Sequence, residues 1–138
     1  KTPPIVFLTS NNARDMGDAL KRRCLHLFIP LPDAKLEERI IAARVPEIES
    51  RLRKQLVYFV QHLREMDLKK LPSISETIDW ARVMLLLHAN DLDRDLVHDT
   101  LNVLLKYEED ISAVETTSRD LIRRAVKDAE IGRFAATT

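Results

Sequence analysis

Between residues 48 and 66 the apolar side chains Ile48, Leu52, Leu56, Phe59, Val60, Leu63 and Met66 recur at steps of three and four, with Glu49, Arg51, Lys54, Gln61 and Arg64 elsewhere on the wheel. This spacing gathers them on one face of a helix, and such a face has to be covered by other apolar surfaces. Any fold open to this chain must therefore pack further elements around that stripe. Composition narrows what those elements are: 2 glycines and 5% aromatic residues, against abundant Leu, Ile, Ala, Arg and Glu, disfavour a turn-rich sandwich or barrel. The expected class is mainly α.

Further helices flank the stripe. Asp33 is an N-cap candidate for a helix carrying Leu36, Ile40, Ile41 and Ala43, which Val45-Pro46 must end because the residue before proline avoids the helical region. Leu71-Pro72-Ser73 breaks the chain again, and Ser73 with Glu76 has capping-box spacing, launching a helix through Trp80, Met84 and Leu87. Asn90-Asp91-Leu92-Asp93 is the next break. Val97, Leu101, Leu104 and Leu105 mark a fourth helix, and Ile111, Val114, Leu121, Ile122, Ala125 and Ala129 a fifth, each expected to depend on packing. Gly132 and the small, polar ending predict a frayed terminus. Trp80 and the Met84–Leu87 run read as core.

The first thirty residues read differently. Pro4-Ile5-Val6-Phe7-Leu8-Thr9 is a compact, partly β-branched apolar run ending in Ser10-Asn11-Asn12, the pattern of a buried strand running into a loop. Leu25-His26-Leu27-Phe28-Ile29, closed by Pro30 and Pro32, is a second extended stretch, and a short helix is expected around Asp18–Arg23 between them. The expectation is a two-strand α/β remnant over residues 1–32 followed by a helical domain over 33–138. The sheet those strands need would continue upstream of Lys1.

Charge and motifs exclude several function classes. Lys plus Arg (22) equals Asp plus Glu (22), so no global field draws the chain to nucleic acid or an anionic bilayer. The apolar runs are far shorter than the roughly 20 residues of a membrane span. Cys24 is the single cysteine, expected to be a buried apolar residue in a reducing, cytoplasmic setting. His26, His62, His88 and His98 are scattered without metal-ligand spacing, and no metal site is assigned. There is no G-x-x-x-x-G-K-[ST] loop, G-x-S-x-G elbow or H-E-x-x-H, so the chain carries no complete active site.

Two features remain. The amides after Thr9 stand where strand ends face a ligand crevice in open α/β sheets, although a plain Asx turn would look the same. Arg14, Lys21, Arg22 and Arg23 concentrate positive charge that suits phosphate, or that simply complements a helix end.

The stretches Pro4–Asp15 and Asp18–Leu27, together with Pro72-Ser73-Ile74-Ser75-Glu76-Thr77-Ile78-Asp79-Trp80-Ala81-Arg82, closely resemble the MoxR-type branch of the AAA+ ATPases, over about residues 4 to 107. The resemblance implies that Pro4–Thr9 is the sensor-1 strand, with Asn11 aligning the attacking water and Asn12 as second choice. It places Arg23 at the arginine finger, acting on the neighbouring subunit's nucleotide, with Arg22 as the adjacent alternative. The helical part becomes an AAA+ lid domain. Thr77 stands where the family's sensor-2 arginine is expected and Arg82 lies about a turn and a half later; these are the lid-side candidates for nucleotide contact. The Walker A and Walker B segments that precede sensor 1 in the family are missing here.

The resemblance thus implies a C-terminal portion of an ATP hydrolase that uses ATP and Mg when complete and works as a homo-oligomeric ring, expected to be hexameric. Such proteins act like chaperones on metalloenzyme clients, often beside a von Willebrand factor A domain partner. The competing reading is a non-catalytic helical module for protein–protein interaction.

Overall fold

A computed structural model of the chain describes residues 1–11 and 14–135. Six helices follow one another among them: α1 (Asp18–Lys21), α2 (Ala34–Arg44), α3 (Ser50–Arg64), α4 (Ile74–Leu86), α5 (Arg94–Leu104) and α6 (Glu108–Ala135). The chain divides into two compact units, Lys1–Pro30 and Leu31–Thr138.

The helical unit is built around the stripe. Leu52, Leu56, Phe59, Val60 and Leu63 of α3 are all buried, and α6 lies along α3 in the longest seam of the unit. α2 and α4 cover the rest of α3, and α5 joins α4 to α6. Trp80 is fully buried from α4, its ring 5.3 Å from that of Phe59, and its indole N–H donates to Thr100 Oγ1 at 2.8 Å. That bond satisfies the one polar atom this large apolar side chain carries inside. Each such fully buried side chain stabilises the unit by about 1.5–3 kcal/mol relative to exposure.

The helix ends follow their sequence signals. Asp33 and Asp93 cap α2 and α5 by accepting from the Leu36 and Leu96 amides, both at 2.8 Å. At α4 the Glu76 carboxylate turns back to accept from the Ser73 amide at 3.0 Å, forming the capping box. α4 closes in a Schellman motif, with the Ala89 amide on the Met84 carbonyl and the His88 amide on the Leu85 carbonyl, both at 3.1 Å. His88 holds the left-handed position of this motif at φ 51°. The loop before α4 is tied to α6 by Asp110, whose two carboxylate oxygens accept from the Lys69 and Lys70 amides at 2.9 and 3.2 Å.

Several expectations are corrected. Among the described residues there is no strand: Pro4–Thr9 and Leu25–Ile29 carry no regular secondary structure, and their side chains are exposed, Phe7 by 89%. A strand exists only by hydrogen bonding to a neighbour, and these runs have no such neighbour among the described residues. Cys24 is exposed rather than buried, because the unit around it offers no core. Leu86 and Leu87 are exposed at 77% and 53%, since the inward face of α4 passes through Trp80, Ala81 and Met84 and rotates them outward.

Of the ending expected to fray, residues 136–138 lie outside the described residues, and the long last helix does not break at Gly132. It runs on to Ala135, and Gly132 instead makes room for Tyr58 of α3, whose hydroxyl would lie 3.0 Å from a Cβ built there. No helix among the described residues is long and apolar enough to cross a membrane.

Candidate functional site

The polar residues singled out in the sequence fall in both units, each of which is described by itself. In the first unit the irregular run Pro4–Thr9 leads into Ser10 and Asn11, which with Thr9, Arg14, Asp15 and Met16 line an open depression. Asn12 lies outside the described residues. Asp15 accepts from Lys21 Nζ at 2.6 Å, and that hydrogen bond, with the attraction of the ammonium, holds the exposed carboxyl below its usual range. The pair staples the depression's rim to α1.

Arg22 caps the C-terminus of α1 through its backbone N–H on the Asp18 carbonyl, and Arg23 continues the turn on the Leu20 carbonyl. Both side chains are exposed. The backbone conformation is thus set locally while the guanidinium groups stay accessible to an anion, a geometry suited to charge neutralisation by a bidentate donor.

In the helical unit the sequence reading missed the strongest polar feature. Glu37 of α2 has 0% exposure, yet its carboxylate has several donors. Arg64 of α3 grips it as a fork, Nη1 to Oε2 at 2.7 Å and Nη2 to Oε1 at 2.8 Å. Gln61, one turn earlier, donates to Oε2 at 2.7 Å, and Thr77 Oγ1 of α4 donates to Oε1 at 2.9 Å. A buried charge is tolerable only when paired and hydrogen-bonded in this way. The signal was present in the periodicity: Glu37 stands four before Ile41, Gln61 four after Val57 and Arg64 four after Val60, so all three share a face with core residues.

Of the two lid-side candidates, Thr77 belongs to this cluster and Arg82 does not. Thr77 is fully buried, its hydroxyl turned onto Glu37 and also near the Ser73 carbonyl at 3.1 Å, so it offers no surface to a nucleotide. Arg82 is exposed on α4 and lies 3.3 Å from Asp79 on the same helix. Comparison of the chain with family models, with curated proteins and with solved structures gives no match.

A second polar group lies on the α3–α6 seam. His62 stands in it, its Nε2 2.7 Å from Asp128 Oδ2 and its Nδ1 3.2 Å from Arg124 Nη2 and 3.4 Å from Glu65 Oε2. Nearby, burial first, then the carboxylates of Glu38 and Asp128, push the Tyr58 hydroxyl above its ordinary value. These contacts fasten α6 to α3. The described residues contain no group of three or more His, Cys, Asp or Glu able to hold a metal ion.

Proposed function

We propose that this chain forms the sensor, arginine-finger and lid part of a MoxR-type AAA+ ATPase, which hydrolyses ATP in an oligomeric ring to remodel or activate a client protein. The observation that carries the reading is the contrast between the two units. Residues 31 onward bury their apolar stripes and close a core, whereas Ile5, Phe7, Leu27 and Ile29 keep strand-forming side chains in solvent. Exposed contiguous apolar surface marks an interaction. Runs of this composition are covered most naturally by neighbouring parallel strands of a sheet.

In such a sheet Asn11 would stand at the carboxyl end of its strand, where α/β sheets bind ligands, and its amide could orient a water. Arg23, with Arg22 beside it, would supply a cation to a neighbouring subunit's phosphate, an effect worth roughly 10³ to 10⁵ in turnover when it completes a phosphoryl-transfer site. The residues present fit only these two tasks. They include no phosphate loop, so the ATP cradle and the Mg ligands would belong to the rest of the enzyme, and the reading rests on Asn11 and Arg23, with the exposed Arg82 rather than the buried Thr77 as the lid-side candidate.

The test is ATPase turnover of the complete gene product with Arg23→Ala and Arg22→Ala. Arg23→Ala is expected to lower turnover by at least about tenfold with nucleotide affinity largely kept, the signature of a group acting on the transition state. A complete product that turns ATP over equally well with both arginines removed rejects the assignment.

A further inference from the structure

Pro32 and Pro72 occupy equivalent places: each stands immediately before an N-cap, Asp33 for α2 and Ser73 for α4, and each is buried. Proline has no N–H, so its carbonyl is the one hydrogen-bonding handle its backbone presents. Both handles are held from α3. Gln61 Nε2 donates to the Pro32 carbonyl at 3.1 Å, and Arg64 Nε donates to the Pro72 carbonyl at 2.9 Å.

The same two side chains grip Glu37, which in turn accepts from Thr77 in the first turn of α4. One carboxylate therefore stands at the centre of a network that reaches the lead-in to α2, the lead-in to α4 and the last turn of α3. We infer that this cluster is a conformational clamp that makes Pro32 the first fixed point of the helical unit, so that displacement arriving along the chain from Pro30 is passed to α2, α3 and α4 as one body.

Chain connectivity gives the clamp its consequence. The boundary between the two units falls between Pro30 and Leu31, one residue before the gripped carbonyl, and Leu31 is itself 46% exposed. A capping aspartate alone would fix α2 only and would let its first turn fray whenever the linker moved. The Gln61 tether instead ties the linker to a buried charge that cannot leave its partners without an uncompensated desolvation penalty. The clamp needs no nucleotide and stands independently of the proposed ATPase role.

The test is amide hydrogen exchange, read by mass spectrometry, on the 138-residue chain and two variants. Gln61→Leu removes the Pro32 tether but leaves Glu37 the Arg64 fork and Thr77. Exchange over residues 33–37 is expected to speed up by about tenfold, while residues 97–104 of α5 stay within about twofold of the parent. Arg64→Lys keeps the charge but loses the fork and the Pro72 bond, and exchange should accelerate over both 33–37 and 74–78. Unchanged exchange over 33–37 in Gln61→Leu overturns the clamp. Equal acceleration of α5 in that variant also overturns it, since the tether would then be one more global stabiliser. Acceleration confined to 74–78 in Arg64→Lys refutes the joint coupling of the two lead-ins.

Discussion

Removing Arg64 while keeping Glu37 should be among the most damaging single changes in the helical unit. Arg64→Met preserves most of the buried volume, since the Arg64 side chain is 7% exposed, but strips Glu37 of the cation that grips it and the Pro72 carbonyl of its donor. Gln61 and Thr77 remain as neutral donors to a carboxylate with no exposure. Breaking one side of a buried ion pair costs about 3–5 kcal/mol, out of about 5–15 kcal/mol for a whole domain. In a domain of about 100 residues that is a fall of roughly 15–25 °C in melting temperature. Replacing both partners, as in Glu37→Met with Arg64→Leu, leaves no charge inside. It forfeits only the Pro72 hydrogen bond and the neutral donors' contacts, so it should recover about 2 kcal/mol or more relative to Arg64→Met. Trp80, the single tryptophan, is fully buried and reports unfolding by fluorescence in urea. If the double variant unfolds at or below the urea midpoint of Arg64→Met, the damage does not come from an orphaned charge and the reasoning fails.

The ends of α4 supply two more predictions. Burial opposes ionisation of Glu76, but hydrogen bonds from the Ser73 hydroxyl, from the Glu76 and Ser73 amides and from Lys70 outweigh it and hold the carboxyl down at about 2, against an ordinary 4.5. The folded value lies below the unfolded one, so its stabilisation is complete above about pH 4.5 and is lost as pH falls toward 2. Glu76→Gln should lower stability by about 1–2 kcal/mol at about pH 7 and flatten the acid limb of the unfolding profile between about pH 5 and 2, and an unchanged limb would refute the cap's contribution. At the other end, His88→Gly places the residue best suited to φ 51° in the Schellman position. A gain of about 0.5–1 kcal/mol in urea unfolding is expected, and a loss would mean that the imidazole makes a stabilising contact of its own.

What the sequence disclosed and what it concealed divide along physical lines. Elements whose information is local were legible: Asp33 and the Ser73–Glu76 pair mark helix starts because a cap acts on amides two or three residues away, and the stripe from Ile48 to Leu63 fixes which face of α3 is inside. For the Glu37 cluster the periodicity marks the buried face, but the pairing of its members was opaque for the opposite reason. Its donors lie 24 to 40 residues from Glu37 along the chain, and a charged residue on an apolar face can equally be read as a register error or a solvated edge until its partner is located. Strand expectations failed because strand formation is a property of a pair: Ile5-Val6-Phe7-Leu8 has the composition of a strand, but composition supplies no neighbour.

The same division bears on function. Asn11 and Arg23 stand out through resemblance to a family and through local charge, and both are exposed residues of a unit that has almost no core and is held by short turns. Thr77 stands out by the family resemblance alone, yet it keeps the period of Trp80, Ala81 and Met84, three, four and seven residues later, which already places it on the buried face of α4. Where a resemblance and a helical period disagree about which way a side chain faces, the period carries the stronger physical constraint. Turning Thr77 toward solvent would swing Trp80 and Met84 out with it, removing apolar burial worth several kcal/mol for the sake of one hydroxyl, on the order of 1.5–3 kcal/mol for each large side chain exposed.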